Sequence, residues 1–218
     1  MTSKTESIRE SKKLKKRQRI QDAAIKVLAN MGYYNTTVSL IAKEAGVADG
    51  TLYLYFQNKD ELLIGIFEDI MDRFIREGLE LLKRVRNPID QLKAIVSLHL
   101  SKIGTDPHLA RIFQIEFRHD IGLMRRLSGS KLRDYFSIIE GIIRRAQSQG
   151  LIRPEIQPWI TAKILFGALD EMATNWVLSD KNQSLDIMAT PVLEVILNGM
   201  CRRGEHIEVL PHDDLKET

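Results

Sequence analysis

The sequence predicts an all-α protein of about nine helices, with a three-helix helix-turn-helix domain at the N-terminus and a larger helical domain after it. Three observations support this prediction. Apolar residues recur at spacings of three and four along most of the chain, and no run of alternating β-branched residues indicates a strand. Glycines and Asn-Pro or Asp-Pro pairs interrupt the pattern at places suited to helix ends and helix starts.

The composition excludes several broad classes of protein. The 218 residues are 44% hydrophobic and 28% charged, which is typical of a globular protein and excludes general disorder. No stretch approaches the roughly 20 apolar residues of a membrane span, and the N-terminus lacks the apolar core of a secretory signal. The single cysteine, Cys201, excludes an internal disulfide framework. We therefore expect a cytoplasmic protein that makes no membrane contact.

The net charge of +3 conceals two segments of opposite sign. Residues 1–59 hold 11 Lys or Arg against 5 Asp or Glu, and residues 60–218 hold 21 against 24. We interpret residues 1–16 as a basic, flexible arm. Such an arm is either a solvated tail or, next to a nucleic-acid-binding domain, a source of phosphate contacts. Most of the excess lies at Lys12, Lys13, Lys15, Lys16, Arg17 and Arg19.

Residues 17–63 have the pattern of a helix-turn-helix domain. Apolar residues between positions 20 and 28 mark one face of a first helix, which begins near Arg17 and ends near Gly32. Thr37 is placed to cap a short second helix. Gly46 ends that helix and turns the chain sharply before a third helix. Two short helices around a glycine turn form a helix-turn-helix.

The third helix of this domain is suited to the major groove of DNA. The groove admits one helix, which meets the bases with its N-terminal residues. Small residues at Ala48, Gly50 and Thr51 permit a close approach. Hydroxyl and ammonium groups commonly donate hydrogen bonds to phosphates. The residues placed to do so are Tyr53, Tyr55 and Lys59.

These residues resemble the DNA-binding signature of the TetR family of one-component repressors. The runs that carry the resemblance are AGV at 45–47, GTLYLYF at 50–56 and NKDEL at 58–62. The resemblance implies a homodimer that binds a palindromic operator and senses a small molecule through its second domain. It implies that Thr37 and Ser39 lie at a phosphate, that Tyr55 and Lys59 bind the DNA backbone, and that the groove is faced by Ala48, Asp49, Gly50, Thr51 and Tyr53.

Asp49 departs from the small or polar residue often found at its position in this family. Two roles are open for it. The carboxylate accepts a hydrogen bond from cytosine in the major groove, or it caps the recognition helix.

The rest of the chain predicts a helical ligand-binding and dimerisation domain over residues 64–203, followed by a polar tail over residues 204–218. Asparagine or aspartate caps a helix, and proline suits its first turn. The helix starts marked in this way are Asn58, Asn87-Pro88 and Asp106-Pro107. The expected long helices span about 59–84, 121–149, 157–178 and 185–199.

The last two long segments predict a homodimer. Both are apolar on more than one side, and the core of one monomer can hardly cover them. Two such helices from each subunit form a four-helix bundle, and the alternative is a thickly packed monomer core. We expect Pro191 to kink the last helix, or to restart it with Thr190 as its cap.

A narrower resemblance concerns the ligand. Blocks spread over most of the chain are similar to the FadR branch of the TetR family, and they include VADGTLYLYF at 47–56, QIEFR at 114–118 and LFGALDE at 165–171. Members of that branch repress fatty-acid degradation genes and leave DNA when they bind long-chain acyl-coenzyme A. The resemblance therefore implies a long-chain acyl-CoA effector, and we expect no cofactor.

Such a ligand needs an apolar tunnel for its acyl chain and cations for its phosphates. Each apolar candidate, taken alone, also fits a plain core, and each arginine also fits a solvated helix face. Asp170 lies in a largely apolar helix, where it either pairs with an arginine or lines the pocket. The candidates are Phe74, Phe113, Phe117 and Phe166 for the tunnel, Arg111, Arg118, Arg126 and Arg133 for its mouth, and Asp170.

Two other functions stay open. One is a repressor of an efflux or catabolic operon that senses another small hydrophobic ligand. The low aromatic content of 6% and the arginine-rich centre of the chain favour an anionic ligand over it. The other is an enzyme acting on acyl-CoA, which would need a placed base or nucleophile, and none is found. The histidines lack the spacing of a metal site. We therefore predict a regulator that is not an enzyme and binds no metal.

Overall fold

The structure is a computed structural model that describes residues 2–116, 122, 125, 126, 129, 131–179 and 183–198. These residues form helices and connecting turns without a strand, which confirms the all-α prediction. No helix among them is both long and apolar enough to cross a membrane. The helices with defined bounds are α1 (Thr2–Asn35), α2 (Val38–Glu44), α3 (Asp49–Tyr53), α4 (Lys59–Leu82), α5 (Pro88–Gly104), α6 (Pro107–Gln114), α7 (Lys131–Ser148), α8 (Pro158–Leu178), a 3₁₀ helix (Leu185–Met188) and α9 (Ala189–Asn198).

Three helices begin with a side-chain N-cap at the position that the sequence predicts. Asn58, Asn87 and Asp106 each accept a hydrogen bond from a backbone N–H in the first turn of α4, α5 and α6. In α5 and α6 a proline follows at the first helical position, where a backbone N–H has no partner within the helix. The caps therefore confirm the starts of these three helices.

α1 begins earlier than the sequence predicts. It starts at Thr2 rather than near Arg17, so residues 2–16, expected as an arm, continue the helix. This segment lacks apolar periodicity but is rich in Lys, Arg and Glu, which favour helix. At the other end, the predicted stop at Gly32 is a break in the helix. Gly32 takes a φ of 74° and a ψ of 168°, and helical structure continues to Asn35.

α7 begins later than the sequence predicts. It starts at Lys131, whereas the apolar pattern predicts one continuous helix from near Ile121. Residues 122, 125 and 126 are helical, but they are separated from α7 by a turn. The backbone N–H of Gly129 donates to the Arg126 carbonyl at 3.2 Å in a turn that precedes α7. The predicted end is correct, because Gly150, with a φ of 69°, follows the last turn of the helix.

The last segment is divided into two helices. The 3₁₀ helix comes first, and α9 starts at Ala189. Pro191 therefore lies in the first turn of α9, where proline is tolerated. The predicted restart of the helix is correct, but Thr190 lies inside the helix and is not its cap.

Two hydrophobic cores lie along α4. The first core contains residues of α1, α2, α3 and the start of α4, together with Ile112 from α6. The second core contains Phe74 of α4 and residues of α5, α7, α8 and α9. α4 therefore belongs to both cores, with Ile66 in the first and Phe74 in the second.

Candidate nucleic-acid interface and ligand-binding core

The helix-turn-helix consists of α2, α3 and the turn between them. Thr37 caps α2 by accepting a hydrogen bond from the Leu40 backbone N–H at 3.2 Å. Gly46 turns the chain with a φ of 63°, which glycine adopts without a steric penalty. The buried residues Ile41 and Leu52 hold α2 and α3 against the first core. This packing leaves the N-terminal end of α3, the end that meets the bases in such domains, on the surface.

The predicted DNA contacts fall into an exposed group and a half-buried group. The Tyr53 side chain is 53% exposed. A Cβ at Gly50 would meet no other atom within 4 Å, so the surface around α3 is open. Thr51 and Tyr55 are half-buried, and Tyr55 packs against the first core. The exposed group contains Thr37, Ser39, Ala48, Asp49, Gly50 and Tyr53.

Asp49 connects the two helices of the motif. Its carboxylate accepts a hydrogen bond from the Ser39 hydroxyl, which joins the first turn of α3 to the first turn of α2. The N-cap of α3 is Ala48, so Asp49 does not cap that helix, and the capping role considered from the sequence is wrong. A carboxylate is favourable in this turn because it faces the positive end of the helix dipole.

Lys59, predicted as a phosphate contact, binds within the protein. Its ammonium donates to the Thr36 carbonyl at 2.9 Å and to the Tyr33 carbonyl, and it lies 3.8 Å from the centre of the Tyr33 ring. Burial lowers the pKa of Lys59, and the Asp60 carboxylate has the opposite, smaller effect on that pKa. The Tyr33 hydroxyl donates to this carboxylate. These contacts fasten the start of α4 to the end of α1, and the DNA contact of Lys59 stays a prediction.

A second attachment joins α1 to the middle of α4. Arg17 pairs with Asp69, and the buried Gln21 donates to the same carboxylate at 2.7 Å. The Arg17 guanidinium also lies 5.2 Å from the centre of the Phe56 ring. Gly65 permits this approach, since a Cβ there would lie 3.0 Å from an Arg17 nitrogen and 3.1 Å from the Phe56 ring. α1 is thus attached to α4 at two separate points.

α6 forms a third link, which no sequence pattern indicates. Ile112 is wholly buried in the first core, and Leu109 and Phe113 of the same helix pack against that core. A carboxylate oxygen of Glu116 accepts a hydrogen bond from the Tyr33 backbone N–H at 2.7 Å. On the other side, Gln114 accepts a hydrogen bond from the Thr174 hydroxyl of α8 at 2.9 Å. α6 therefore contacts both the helix-turn-helix domain and α8 of the second domain.

Two of the predicted tunnel residues meet in an aromatic group of the second core. The ring centres of Phe74 and Phe166 lie 5.4 Å and 6.2 Å from that of Tyr135. Both rings lie 5.9 Å from the His99 ring. The structure thus brings residues of α4, α5, α7 and α8 together around one apolar centre.

The aromatic group contains a polar pair that the sequence does not indicate. His99 Nδ1 lies 2.9 Å from the Tyr135 hydroxyl. Burial lowers the pKa of His99 to about 4, and burial raises the pKa of Tyr135. Both side chains are therefore uncharged at neutral pH, and each satisfies the other's hydrogen-bonding group inside the core. A lone histidine or tyrosine on an apolar helix face has no spacing that would reveal such a pair.

The other predicted ligand residues are more dispersed. Phe113 packs edge-on against Phe67, with ring centres 5.5 Å apart, beside the first core. Asp170 is half-buried on α8, and its backbone carbonyl lies 2.9 Å from the Thr174 hydroxyl. Over the described part of the chain, no three His, Cys, Asp or Glu side chains are grouped to hold a metal. Arg111, Arg126 and Arg133 are exposed, whereas Phe117 and Arg118 lie outside the described residues.

Comparison with known proteins matches each part of the chain to a family. Residues 20–66 match the family described as bacterial regulatory proteins, tetR family. Residues 67–199 match the family described as YsiA-like protein, C-terminal region. The fatty acid metabolism regulator protein of Bacillus subtilis (strain 168) is 36% identical over 185 residues, which is 85% of this chain and 95% of that protein.

Solved structures agree with these matches. The fatty acid degradation regulator FadR from Bacillus halodurans has a TM-score of 0.81 and 34% identity, over 85% of this chain and 96% of that structure. The regulator FadR from Bacillus subtilis, solved in complex with stearoyl-CoA, has a TM-score of 0.80 and 35% identity, over 84% of this chain and 99% of that structure. FadR from Thermus thermophilus, solved with lauroyl-CoA, is 23% identical over 88% of this chain and 99% of that structure, and its TM-score of 0.67 shows a shared fold.

Proposed function

Since the chain belongs to the TetR family of bacterial regulatory proteins, in the branch with a YsiA-like C-terminal region, we propose that it is a dimeric repressor of fatty-acid degradation genes. It is a DNA-binding transcription regulator rather than an enzyme. We infer that it acts in the cytoplasm, binds a palindromic operator and leaves it on binding a long-chain acyl-CoA. The observation that carries the DNA-binding part is the open surface at the N-terminal end of α3, next to the capped start of α2.

At the operator, α3 supplies the base contacts. Ala48 and Gly50 have small side chains, so the helix approaches the base edges closely. Asp49 binds Ser39 through one carboxylate oxygen and presents the other to a cytosine amino group. Thr51 and Tyr53 complete the groove-facing set. Phosphate contacts come from Thr37, Ser39 and Tyr55.

The proposed effector rests on a relative and on the second core. The Bacillus subtilis regulator, which is 35% identical, was solved with stearoyl-CoA. In this chain Phe74 and Phe166 lie in the second core, where an acyl chain would be shielded from water. The exposed arginines supply guanidinium groups that suit the phosphates of coenzyme A. They are Arg111, Arg126 and Arg133.

The dimer is proposed to form through α8 and α9. In the single chain, Ile164 and Val195 are each 58% exposed. Gly167 lies on the same side of α8 as Ile164, and a Cβ at this glycine would meet no atom within 4 Å, so a helix of a second subunit can approach closely. Pairing α8 and α9 of two subunits as a four-helix bundle buries this apolar surface. The exposed apolar residues of this region are Trp159, Ile160, Ile164, Leu178, Ile187 and Val195.

Release from DNA follows from linkage. A ligand that prefers a conformation with altered spacing of the two α3 helices weakens operator binding by the same coupling free energy. α4 is attached to α1 through Lys59 and Asp69, and it reaches the second core through Phe74. A shift of α4 caused by a filled second core therefore moves the DNA-binding domain.

The test starts by selecting an operator from a random pool of duplex DNA with the purified protein. Binding to the selected duplex is then measured by mobility shift with stearoyl-CoA, with octanoyl-CoA, and with free stearate plus coenzyme A. We expect one palindromic site, two subunits per duplex, and about a tenfold or larger loss of affinity with stearoyl-CoA. Failure to select any sequence would contradict the proposed repressor function. A selected operator whose binding no acyl-CoA changes would contradict only the proposed acyl-CoA response.

A further inference from the structure

The N-terminal part of α1 has a surface that the helix-turn-helix does not use. Ile20 is the first described side chain that is wholly buried, and residues 7–16 are all exposed. At a rise of about 1.5 Å per residue, the helix from Thr2 to Lys16 is about 22 Å long. The pairing of Arg17 with Asp69 of α4 fixes the direction in which this segment leaves the domain.

The charges of this segment lie on one side of the helix. Residues 7–19 contain seven Lys or Arg and a single acid, Glu10. At about 100° per residue, six of these cations fall within an arc of about 160°. Glu10 and Arg17 lie outside that arc. We call the arc the basic face, and its residues are Arg9, Lys12, Lys13, Lys15, Lys16 and Arg19.

Contacts along α1 show which way the basic face points. Arg19 belongs to it, and its Nη2 donates to the Gly46 carbonyl at 3.4 Å. Lys26, almost two turns further along the same side of α1, pairs with Glu44 at the end of α2. Gly46 shortly precedes Ala48, the N-cap of α3. The basic face therefore points to the side of α1 that carries the α2–α3 turn and the groove-facing end of α3.

We propose that the basic face binds the sugar-phosphate backbone of DNA beside the half-site that α3 reads, an inference that rests on the proposed function. Between Arg9 and Arg19 the basic face spans about 15 Å, the length of about four base pairs. Lysine and arginine bind phosphates of any sequence. The basic face therefore raises affinity for all duplexes and leaves sequence preference to α3.

An anionic membrane is the other polyanion that a basic helix binds. A helix that lies in a membrane surface needs a continuous apolar face opposite its cations. The exposed apolar residues of this segment, Ile8 and Leu14, lie about 120° apart around the helix, and Ile8 stands inside the basic face. Residues 7–19 therefore have no apolar face, and duplex DNA is the partner that this surface fits.

The test compares two double variants of the full-length protein. Lys12→Gln/Lys16→Gln removes two cations from the centre of the basic face. The matched control, Lys83→Gln/Lys93→Gln, removes two exposed lysines of the second domain that pair with acids three residues before them. Dissociation constants for the selected operator and for a scrambled duplex of equal length are measured by fluorescence anisotropy between about 0.05 and about 0.3 M KCl. Circular dichroism checks that each variant is folded.

Removing one cation from a phosphate lowers the slope of log affinity against log salt by about 0.9. Lys12→Gln/Lys16→Gln should therefore reduce the slope by about 1.8 per subunit, and bind both duplexes about tenfold or more weakly at about 0.15 M salt, with an unchanged affinity ratio between them. The control should keep the wild-type slope. Equal slopes for wild type and Lys12→Gln/Lys16→Gln would overturn the proposal. Unchanged duplex binding together with weaker co-sedimentation of this variant with phosphatidylglycerol vesicles would also overturn it, in favour of a membrane. A wild-type protein that binds no duplex would contradict the proposed function instead.

Discussion

Replacing Lys59 with methionine separates two roles of this residue. The sequence predicts a phosphate contact, whereas in the protein the ammonium donates to the Tyr33 and Thr36 carbonyls and lies over the Tyr33 ring. Methionine keeps most of the apolar length of the side chain and removes its charge and its donor hydrogens. A structural role predicts a loss of stability. A phosphate contact predicts a loss of DNA affinity that depends on salt.

The size of the stability effect follows from these three contacts. A hydrogen bond from a charged group contributes about 1.5–3 kcal/mol, and an ammonium over an aromatic ring contributes about 0.5–1 kcal/mol at an exposed site. Burial lowers the pKa of Lys59, so desolvation of the ammonium offsets part of this sum. We expect Lys59→Met to lower the free energy of unfolding by about 2 kcal/mol.

Urea denaturation followed by circular dichroism measures this change. Lys26→Met is the matched control, because Lys26 lies in the same domain and forms an exposed pair with Glu44. Exposed pairs contribute about 0–1 kcal/mol. In parallel, the salt slope of operator binding should change by less than about 0.5 in Lys59→Met, since removing a cation from a phosphate lowers it by about 0.9.

The reverse pattern would refute the structural assignment. A free energy of unfolding within about 0.5 kcal/mol of the wild-type value, together with a salt slope lowered by about 0.9, would place the Lys59 ammonium on a phosphate. The side chain would then have to leave the Tyr33 and Thr36 carbonyls when DNA binds.

Three further predictions concern the links between the domains and the second core. Ile112→Ala should lower the free energy of unfolding by about 3 kcal/mol, because it empties space in the first core, and Ile112→Val should cost about 1 kcal/mol in the same urea assay. Because the pKa of His99 falls from 6.5 to about 4 on folding, the unfolded chain binds protons more readily. The free energy of unfolding is therefore highest above pH 6.5 and decreases by on the order of 3 kcal/mol as the pH falls towards 4. Urea denaturation at several pH values should show that the free energy of unfolding depends less on pH in His99→Gln than in the wild type. Gly32→Ala should lower the free energy of unfolding by about 1 kcal/mol more than Gly150→Ala, because the φ of 74° and ψ of 168° at Gly32 lie in a region that is essentially restricted to glycine, whereas Gly150 follows a helix with a φ of 69°, a C-terminal position where asparagine also occurs. Equal losses for the two glycine variants would show that the backbone conformation at Gly32 is not strained by a side chain.

The helices were predictable where their signals are local. Asn58, Asn87 and Asp106 cap residues next to them in the chain, so a single sequence is enough to place the starts of α4, α5 and α6. The predictions were wrong where the local signal misleads. Residues 2–16 have helix-forming residues without an apolar stripe, and apolar residues before Lys131 continue a helical pattern across the turn at Gly129.

The helix-turn-helix motif was predictable from the sequence, whereas the contacts between its helices and the rest of the chain were not. The residues proposed to face DNA belong to one contiguous motif, so the sequence alone places them around the turn between α2 and α3, and their DNA contacts stay a prediction. The hydrogen bond between Ser39 and Asp49 depends on the angle between two helices, which spacing does not determine. Glu116 lies 83 positions from Tyr33 in the chain. Neither periodicity nor composition indicates a contact between residues so far apart in one sequence. The burial of Ile112 in the first core could not be predicted for the same reason.

Tyr33, near the end of α1, forms hydrogen bonds to residues in or next to α4 and α6. Its backbone N–H binds Glu116, which follows α6, its carbonyl binds Lys59 of α4, and its hydroxyl binds Asp60. Thr37, which caps α2 at the DNA-facing end, lies one turn further along the chain. α4 and α6 also contact the second core or its helices, so a ligand that changes their separation alters the anchoring of Tyr33 at both of its backbone groups. Such a change would reach the end of α2 that is proposed to bind phosphate through backbone hydrogen bonds, and the first core could move as a unit without being unpacked.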